Sequence, residues 1–338
     1  MQDHEQQALR RFLAQAAHAE QVSIARLQPL SGGAVQENWL LDLELVGGAH
    51  AGRLECVLRC DSASAGVAVS LSRAHEFALF QLAFGAGVTV PEPLWLCDDD
   101  TVLGRPFFIM RRVRGSAAGH VLVRDLRLGG DRVQLTRRLG SELARIHALR
   151  APQASLPFLP WYEEAPALRS VRLHRAFLDR HGSAHPALEW GLRWLERHAP
   201  ARATLTLCHR DFRTGNYMVD ENGLTGVLDW EFAGWSDPLE DIGWFCARCW
   251  RFGQNALEAG GIGTRADFYS GYESVSGTRI DAQAVKYWEV MAHMTWAIIA
   301  LQQAQRFVSG AENSLLLALT GHIVPELEWE ILNLTEAD

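Results

Sequence analysis

The sequence predicts an α+β protein of two lobes: an N-terminal five-stranded antiparallel sheet with one inserted helix, then a mainly helical C-terminal lobe. Three observations predict it. Short apolar stretches broken by glycine turns fill the region up to Val113. Apolar residues recur at a period near 3.6 over most of the remainder. Within that helical part, one hairpin at 205–228 gathers carboxylate and amide side chains at one end. A length of 338 residues also suggests two units, which we place at 1–113 and 114–338.

The first twenty residues read as an amphipathic helix. They lack the apolar centre and small-residue cleavage site of a signal peptide. Strands follow at Ile24–Leu30, Asn38–Val46 and Arg53–Arg59, with turns at Ser31-Gly32-Gly33 and Gly47-Gly48. Glycine has no Cβ, so the backbone N–H groups of such a turn can approach a phosphate closely. Leu71–Phe84 is a helix carrying Glu76. A strand leads to Cys97, Asp98-Asp99-Asp100 reads as a solvated turn, and Arg105–Met110 is the fifth strand. Beyond the crossing at 111–119, helices are expected at 131–149, 164–181, 186–198, 238–252, 265–273, 281–308 and 312–333.

Composition is ordinary for a globular protein, with 48% hydrophobic and 21% charged residues. No apolar run approaches the ~20 residues of a membrane span, so a cytoplasmic protein without a membrane partner is expected. A net charge of −8 argues against a nucleic-acid partner. Of the basic residues only Lys286 is lysine, so chemistry that needs a lysine must use that one or substitute arginine. The six cysteines read as core residues, and Cys246 and Cys249 lack the second Cys/His pair of a zinc site.

The chemistry concentrates in Cys208–Trp244. Asp211 and Asn216 follow one short apolar strand, Asn222-Gly223 marks a tight turn, and Leu224–Leu228 returns Asp229 to the same end. Two carboxylates and an amide oxygen form the oxygen-only ligand set that a hard cation such as Mg²⁺ requires, with one carboxylate spare for acid/base work. Arg213 would either contact a phosphate or anionic substrate or be a surface charge. Glu231 would either support the metal ligands or take a solvent-facing or salt-bridging role. Asp237 precedes Pro238 where a carboxylate caps a helix; Asp241 reads as structural.

With the glycine turn, the Glu76 helix and the array His209-Arg210-Asp211…Asn216…Asp229, residues 27–241 resemble the aminoglycoside phosphotransferase (APH) and choline-kinase-like family, of protein-kinase-like fold. The nearest resemblance is to the kinase-like domains associated with acyl-CoA dehydrogenases. It implies that Ser31, Gly32 and Gly33 cover the ATP phosphates. Met110, Arg111, Arg112 and Val113 would form the hinge that binds adenine. Asp211 would accept or orient the acceptor hydroxyl, Asn216 and Asp229 would hold Mg²⁺, and His209 would brace the catalytic loop. Kinases pair a third-strand lysine with a glutamate; here Arg59 stands in that place, opposite Glu76. The implied reaction moves the γ-phosphate of ATP to a hydroxyl of a small metabolite, with a hydroxy acid or hydroxyacyl thioester favoured. The alternatives are an aminoglycoside antibiotic kinase and, from another class, a catalytically weak nucleotide-binding pseudokinase or scaffold.

Overall fold

A computed structural model describes residues 1–30, 36–61, 70–200 and 205–336; the expected Ser31-Gly32-Gly33 turn lies outside them. The N-terminal region holds α1 (Asp3–Ala16), β1 (Gln21–Leu30), β2 (Gln36–Val46), β3 (Gly52–Asp61), α2 (Arg73–Gly85), β4 (Pro93–Cys97), α3 (Asp100–Leu103) and β5 (Phe107–Arg111). The five strands form one antiparallel sheet in the order β1-β2-β3-β5-β4. Side chains alternate across a strand, and β3 uses both faces. Leu54, Cys56, Leu58 and Cys60 pack with Leu9 and Leu13 of α1. Arg59 therefore points to the opposite side, towards α2. The side chain of Ser72 caps α2 by accepting from the His75 N–H.

The remainder contains α4 (Gly119–Leu122), α5 (Arg132–His147), α6 (Pro166–His181), α7 (Pro186–Arg197), the short strands β6 (Thr206–Cys208), β7 (Tyr217–Val219), β8 (Leu224–Val227) and β9 (Gly234–Ser236), then α8 (Pro238–Cys246), a 3₁₀ turn at Arg248–Trp250, α9 (Arg265–Ser276), α10 (Ala282–Val308), α11 (Leu315–Gly321) and α12 (Val324–Thr335). Glycines set two close helix crossings. A Cβ on Gly271 of α9 would lie 1.9 Å from the Arg137 carbonyl oxygen of α5, and one on Gly243 of α8 would lie 2.5 Å from Trp288 Cβ of α10. One core runs through both regions: Phe77 and Phe80 of α2 pack with Phe108, Phe212 and Trp230. Two backbone bonds also cross, Leu71 N–H to the Glu231 carbonyl (2.9 Å) and Val227 N–H to that of Thr89 (2.8 Å).

Three sequence expectations are corrected. The helix expected at 238–252 stops at Cys246, because the Arg251 guanidinium donates to the Cys246 carbonyl (2.7 Å) and Ala247 is extended. The helix expected at 312–333 is two helices. Pro325 lies in the first turn of α12, where its missing N–H costs no bond. The Asp98–Asp100 turn is a helix start, since the Asp99 carboxylate accepts from the Thr101 N–H. The cysteines are all unpaired, and only Cys249 is not fully buried. Burial pushes the thiols of Cys56 and Cys246 up to about 12. No helix among the described residues is long and apolar enough to cross a membrane.

Candidate active site

The hairpin brings Asp211, Asn216 and Asp229 together through a backbone bracket on Leu228. The Leu228 N–H donates to the Asn216 carbonyl (2.8 Å), and His209 Nε2 donates to the Leu228 carbonyl (2.7 Å). His209 Nδ1 accepts from the Asp211 N–H (3.3 Å). These bonds assign His209 as the neutral Nε2–H tautomer and tie the loop before Asp211 to the residue before Asp229.

Asp241 anchors the same loop from below. Its fully buried carboxylate accepts from the backbone N–H groups of His209 (2.7 Å) and Arg210 (2.6 Å) and from His147 Nε2 (3.0 Å). His147 is itself bonded to the Tyr272 hydroxyl (3.0 Å). Burial pushes the Asp241 carboxyl up, but His147 and the loop N–H groups outweigh it and hold it below the usual range. Arg210 and Asp229 have φ of 61° and 64°, conformations that cost non-glycine residues about 1–3 kcal/mol each and that cluster at functional sites. Asp237 caps α8 by accepting from the Leu239 N–H (2.9 Å), as its place before Pro238 predicts. Cys208 lies beside His147 and Asp241. The carboxylate there is already taken up by N–H donors and the thiol is held well above its ordinary range by burial, so this trio is a hydrogen-bond hub rather than a metal site.

Asp211 sits among three donors. Its Oδ1 accepts from Arg213 Nε (3.0 Å) and Trp244 Nε1 (3.0 Å), and its Oδ2 from Asn216 Nδ2 (2.5 Å). Burial raises its pKa above the usual carboxylate value, with Asp229 adding to the shift and Arg213 opposing it. Asn216 Nδ2 also donates to the Asp211 carbonyl (2.9 Å), which turns Asn216 Oδ1 away from Asp211. That orientation, with the Asp229 carboxylate about one-third exposed, leaves oxygen donors for a hard cation; the residues fit Mg²⁺.

Arg59 closes the site from β3. Its Nε donates to Glu76 (3.1 Å) and its Nη2 to Asp229 Oδ1 (2.6 Å). Burial opposes its charge, but Glu76 and Asp229 more than restore it and hold the pKa above the ordinary arginine value. The same contacts keep Asp229 low despite its burial. Glu76, wholly buried, also pairs with Arg73, which reaches Asp61 (2.9 Å). Glu231 is buried rather than solvent-facing. Arg213 is only a quarter exposed; its guanidinium sits 4.6 Å over the Trp250 ring and binds Asp211, so it is no free surface charge.

In the expected hinge, Met110 pairs with Val57 and Pro93. The N–H groups of Arg111 and Arg112 donate to the Glu92 (2.8 Å) and Glu55 (2.9 Å) carbonyls. Among the described residues the Val113 N–H has no such backbone partner. Three residues escape the sequence reading. His147 had a signal, an ionisable side chain in line with Leu139 and Leu143 on the apolar stripe of α5. Trp244 lies one turn from Asp241, so both face the loop at 209–211; Arg73 carries no sequence mark.

The five-stranded sheet, its inserted helix and the hairpin loop facing them make a kinase-like fold. Residues 26–277 match the profile of APH, the phosphotransferase enzyme family, and the chain belongs to that family. Mouse acyl-CoA dehydrogenase family member 10 is 28% identical over 178 residues, which is 51% of this chain and 16% of that protein; the chain thus spans a minor part of this relative. A Ralstonia eutropha structure assigned to the aminoglycoside phosphotransferases superposes with a TM-score of 0.74 at 20% identity, covering 97% of this chain and 98% of that one. Spectinomycin phosphotransferase APH(9)-Ia, in complex with ADP and spectinomycin, superposes with a TM-score of 0.62 at 11% identity, covering 97% and 98%. At these identities the superpositions speak for the fold.

Proposed function

We propose that the protein is an ATP- and Mg²⁺-dependent kinase that phosphorylates a hydroxyl of a small metabolite. The observation that carries this reading is the bracketed trio, with Asp211 beside an Asn216–Asp229 oxygen set and Arg59–Glu76 facing it. Asn216 Oδ1 and Asp229 would hold Mg²⁺, which supplies charge neutralisation to the phosphates. Arg59 offers two-pronged contacts to phosphate oxygens, and the hinge contact to adenine falls to the Val113 N–H. Asp211 orients the acceptor hydroxyl and takes its proton; its raised pKa suits a base that must hold that proton.

Two arginines lie near each other at the Asp211 loop, Arg210, which pairs with Glu240 (3.2 Å), and Arg169. Arg169 of α6 stacks on Tyr162 (3.4 Å to the ring centroid) and makes no ion pair among the described residues. Burial and then Arg210 hold its pKa below the usual arginine value. An acceptor bearing an anionic group, such as a hydroxy acid or hydroxyacyl thioester, would suit Arg169, whose charge no carboxylate takes up among the described residues, better than a polycationic aminoglycoside would. The test is ADP release with matched hydroxylated acceptors, one series carrying a carboxylate or phosphate and the other cationic. Turnover of the cationic series alone would refute the acceptor class.

One contact favours a second reading, a nucleotide-binding scaffold. Arg59 already occupies Asp229, the position a metal would use. If it stayed there, nucleotide would bind independently of Mg²⁺. A titration of ATP affinity against Mg²⁺ separates the two, since the kinase reading requires affinity to rise with the metal.

A further inference from the structure

The three donors to Asp211 are not equivalent in origin. Asn216 and Arg213 belong to the catalytic loop itself, whereas Trp244 reaches in from α8, the helix that also holds the loop backbone through Asp241. Trp244 is 8% exposed and packs against Trp250 (ring centroids 5.1 Å), which packs in turn against Trp296 (5.0 Å). Its ring therefore has little freedom to turn, and its N–H is aimed by the surrounding aromatic cluster. With Arg213 and Trp244 both on Oδ1, that oxygen has its two lone pairs engaged. Oδ2 has one donor, Asn216, and keeps a free lone pair.

We infer that Trp244 is a positioning residue for Asp211, fixing the carboxylate plane so that Oδ2 is the oxygen that receives the acceptor's proton. This rests on the reading of Asp211 as the base. In the step so arranged, the acceptor oxygen bonds to the γ-phosphorus and the bond from that phosphorus to the bridging oxygen breaks. ADP leaves with that electron pair, and the hydroxyl proton passes to Oδ2. Without Trp244 the carboxylate keeps only Arg213 and Asn216, donors on the same loop that move with it, and could turn about Cβ–Cγ and lose the alignment on which a proton acceptor depends.

The test has two arms. In the first, the indole ¹H–¹⁵N resonance of Trp244, identified by its loss in Trp244→Phe, is followed in Asp211→Ala without any acceptor. An upfield shift is expected as the carboxylate partner disappears; an unmoved resonance overturns the contact. In the second, Trp244→Phe keeps an aromatic ring and removes the N–H. Its kcat should fall roughly tenfold, the order for losing one hydrogen bond to a charged group, with KM for acceptor and nucleotide unchanged. In an Asp211→Asn background the same change should cost less than about twofold, since residues acting as a unit are not additive. A full additional loss there would mean that Trp244 acts through general structure. Trp250→Phe trims a neighbouring ring whose N–H has no partner among the described residues; equal losses in the two variants would assign the effect to packing and overturn the proposal. If the wild type transfers phosphate to nothing, the kinase reading falls and the proton step with it, while the resonance shift still reports whether Trp244 holds Asp211.

Discussion

Replacing Asp241 by alanine should damage the site more than any other change outside the reacting groups. The carboxylate is 0% exposed and accepts two backbone N–H groups from the loop and one from His147. His209 and His147 are buried, so in Asp241→Ala two of these three donors have no solvent to turn to. Each buried donor left unpaired costs about 1–3 kcal/mol, and the left-handed turn at Arg210 loses a bond that holds it. The sum is about 4 kcal/mol. At roughly 1.4 °C per kcal/mol for a chain of 338 residues, the Tm should drop by about 6 °C. Asp241→Asn, which keeps one oxygen acceptor, should fall between. The effect also has a pH signature. The folded pKa lies below the unfolded value of about 3.9, so the stabilisation is complete above the unfolded pKa and is lost as pH falls through the folded one. The gap between Asp241→Asn and wild type should therefore be open at pH 7 and close below about pH 4. Thermal unfolding followed by circular dichroism measures both. A drop of less than about 3 °C in Asp241→Ala, or a gap that widens in acid, would refute the reasoning.

Asp211→Asn should reduce turnover by about 10²-fold or more while nucleotide affinity, read by calorimetry, stays within about threefold. Because burial raises the Asp211 pKa, the ionised side chain costs stability at pH 7, so this variant should melt no lower than wild type, and any advantage should shrink as pH falls through the folded pKa. Asp229→Ala should abolish the part of ATP affinity that depends on Mg²⁺; an unchanged metal titration would remove Asp229 from the ligand set.

The sheet, the inserted helix and the hairpin were legible because each is written in local signals: glycine turns, alternation on β3, and the Asn222-Gly223 turn. Arg59 and Glu76 could be paired only through the family resemblance, which puts them where kinases pair a third-strand lysine with a glutamate; the structure brings them to 3.1 Å. What the sequence could not show was the second partner of Arg59, since its contact with Asp229 joins positions 170 residues apart. His147 and Trp244 escaped for the same reason: each reads locally as one more residue on an apolar helix face, and only the tertiary packing turns its polar atom towards the loop. The breaks after Cys246 and before Val324 were missed because an arginine side chain satisfies the carbonyl of Cys246 in one case, and in the other a proline lies in the first turn of the new helix rather than inside a longer one.

The most direct test of the account is ADP release in the presence of Mg²⁺ and ATP across a panel of hydroxylated carboxylates, acyl thioesters and aminoglycosides, with Asp211→Asn run alongside. The account predicts acceptor-dependent ADP release by the wild type, greatest with an anionic acceptor, accompanied by a phosphorylated product and lowered by about 10²-fold or more in Asp211→Asn. ADP release that is independent of acceptor and equal in the two proteins would contradict it.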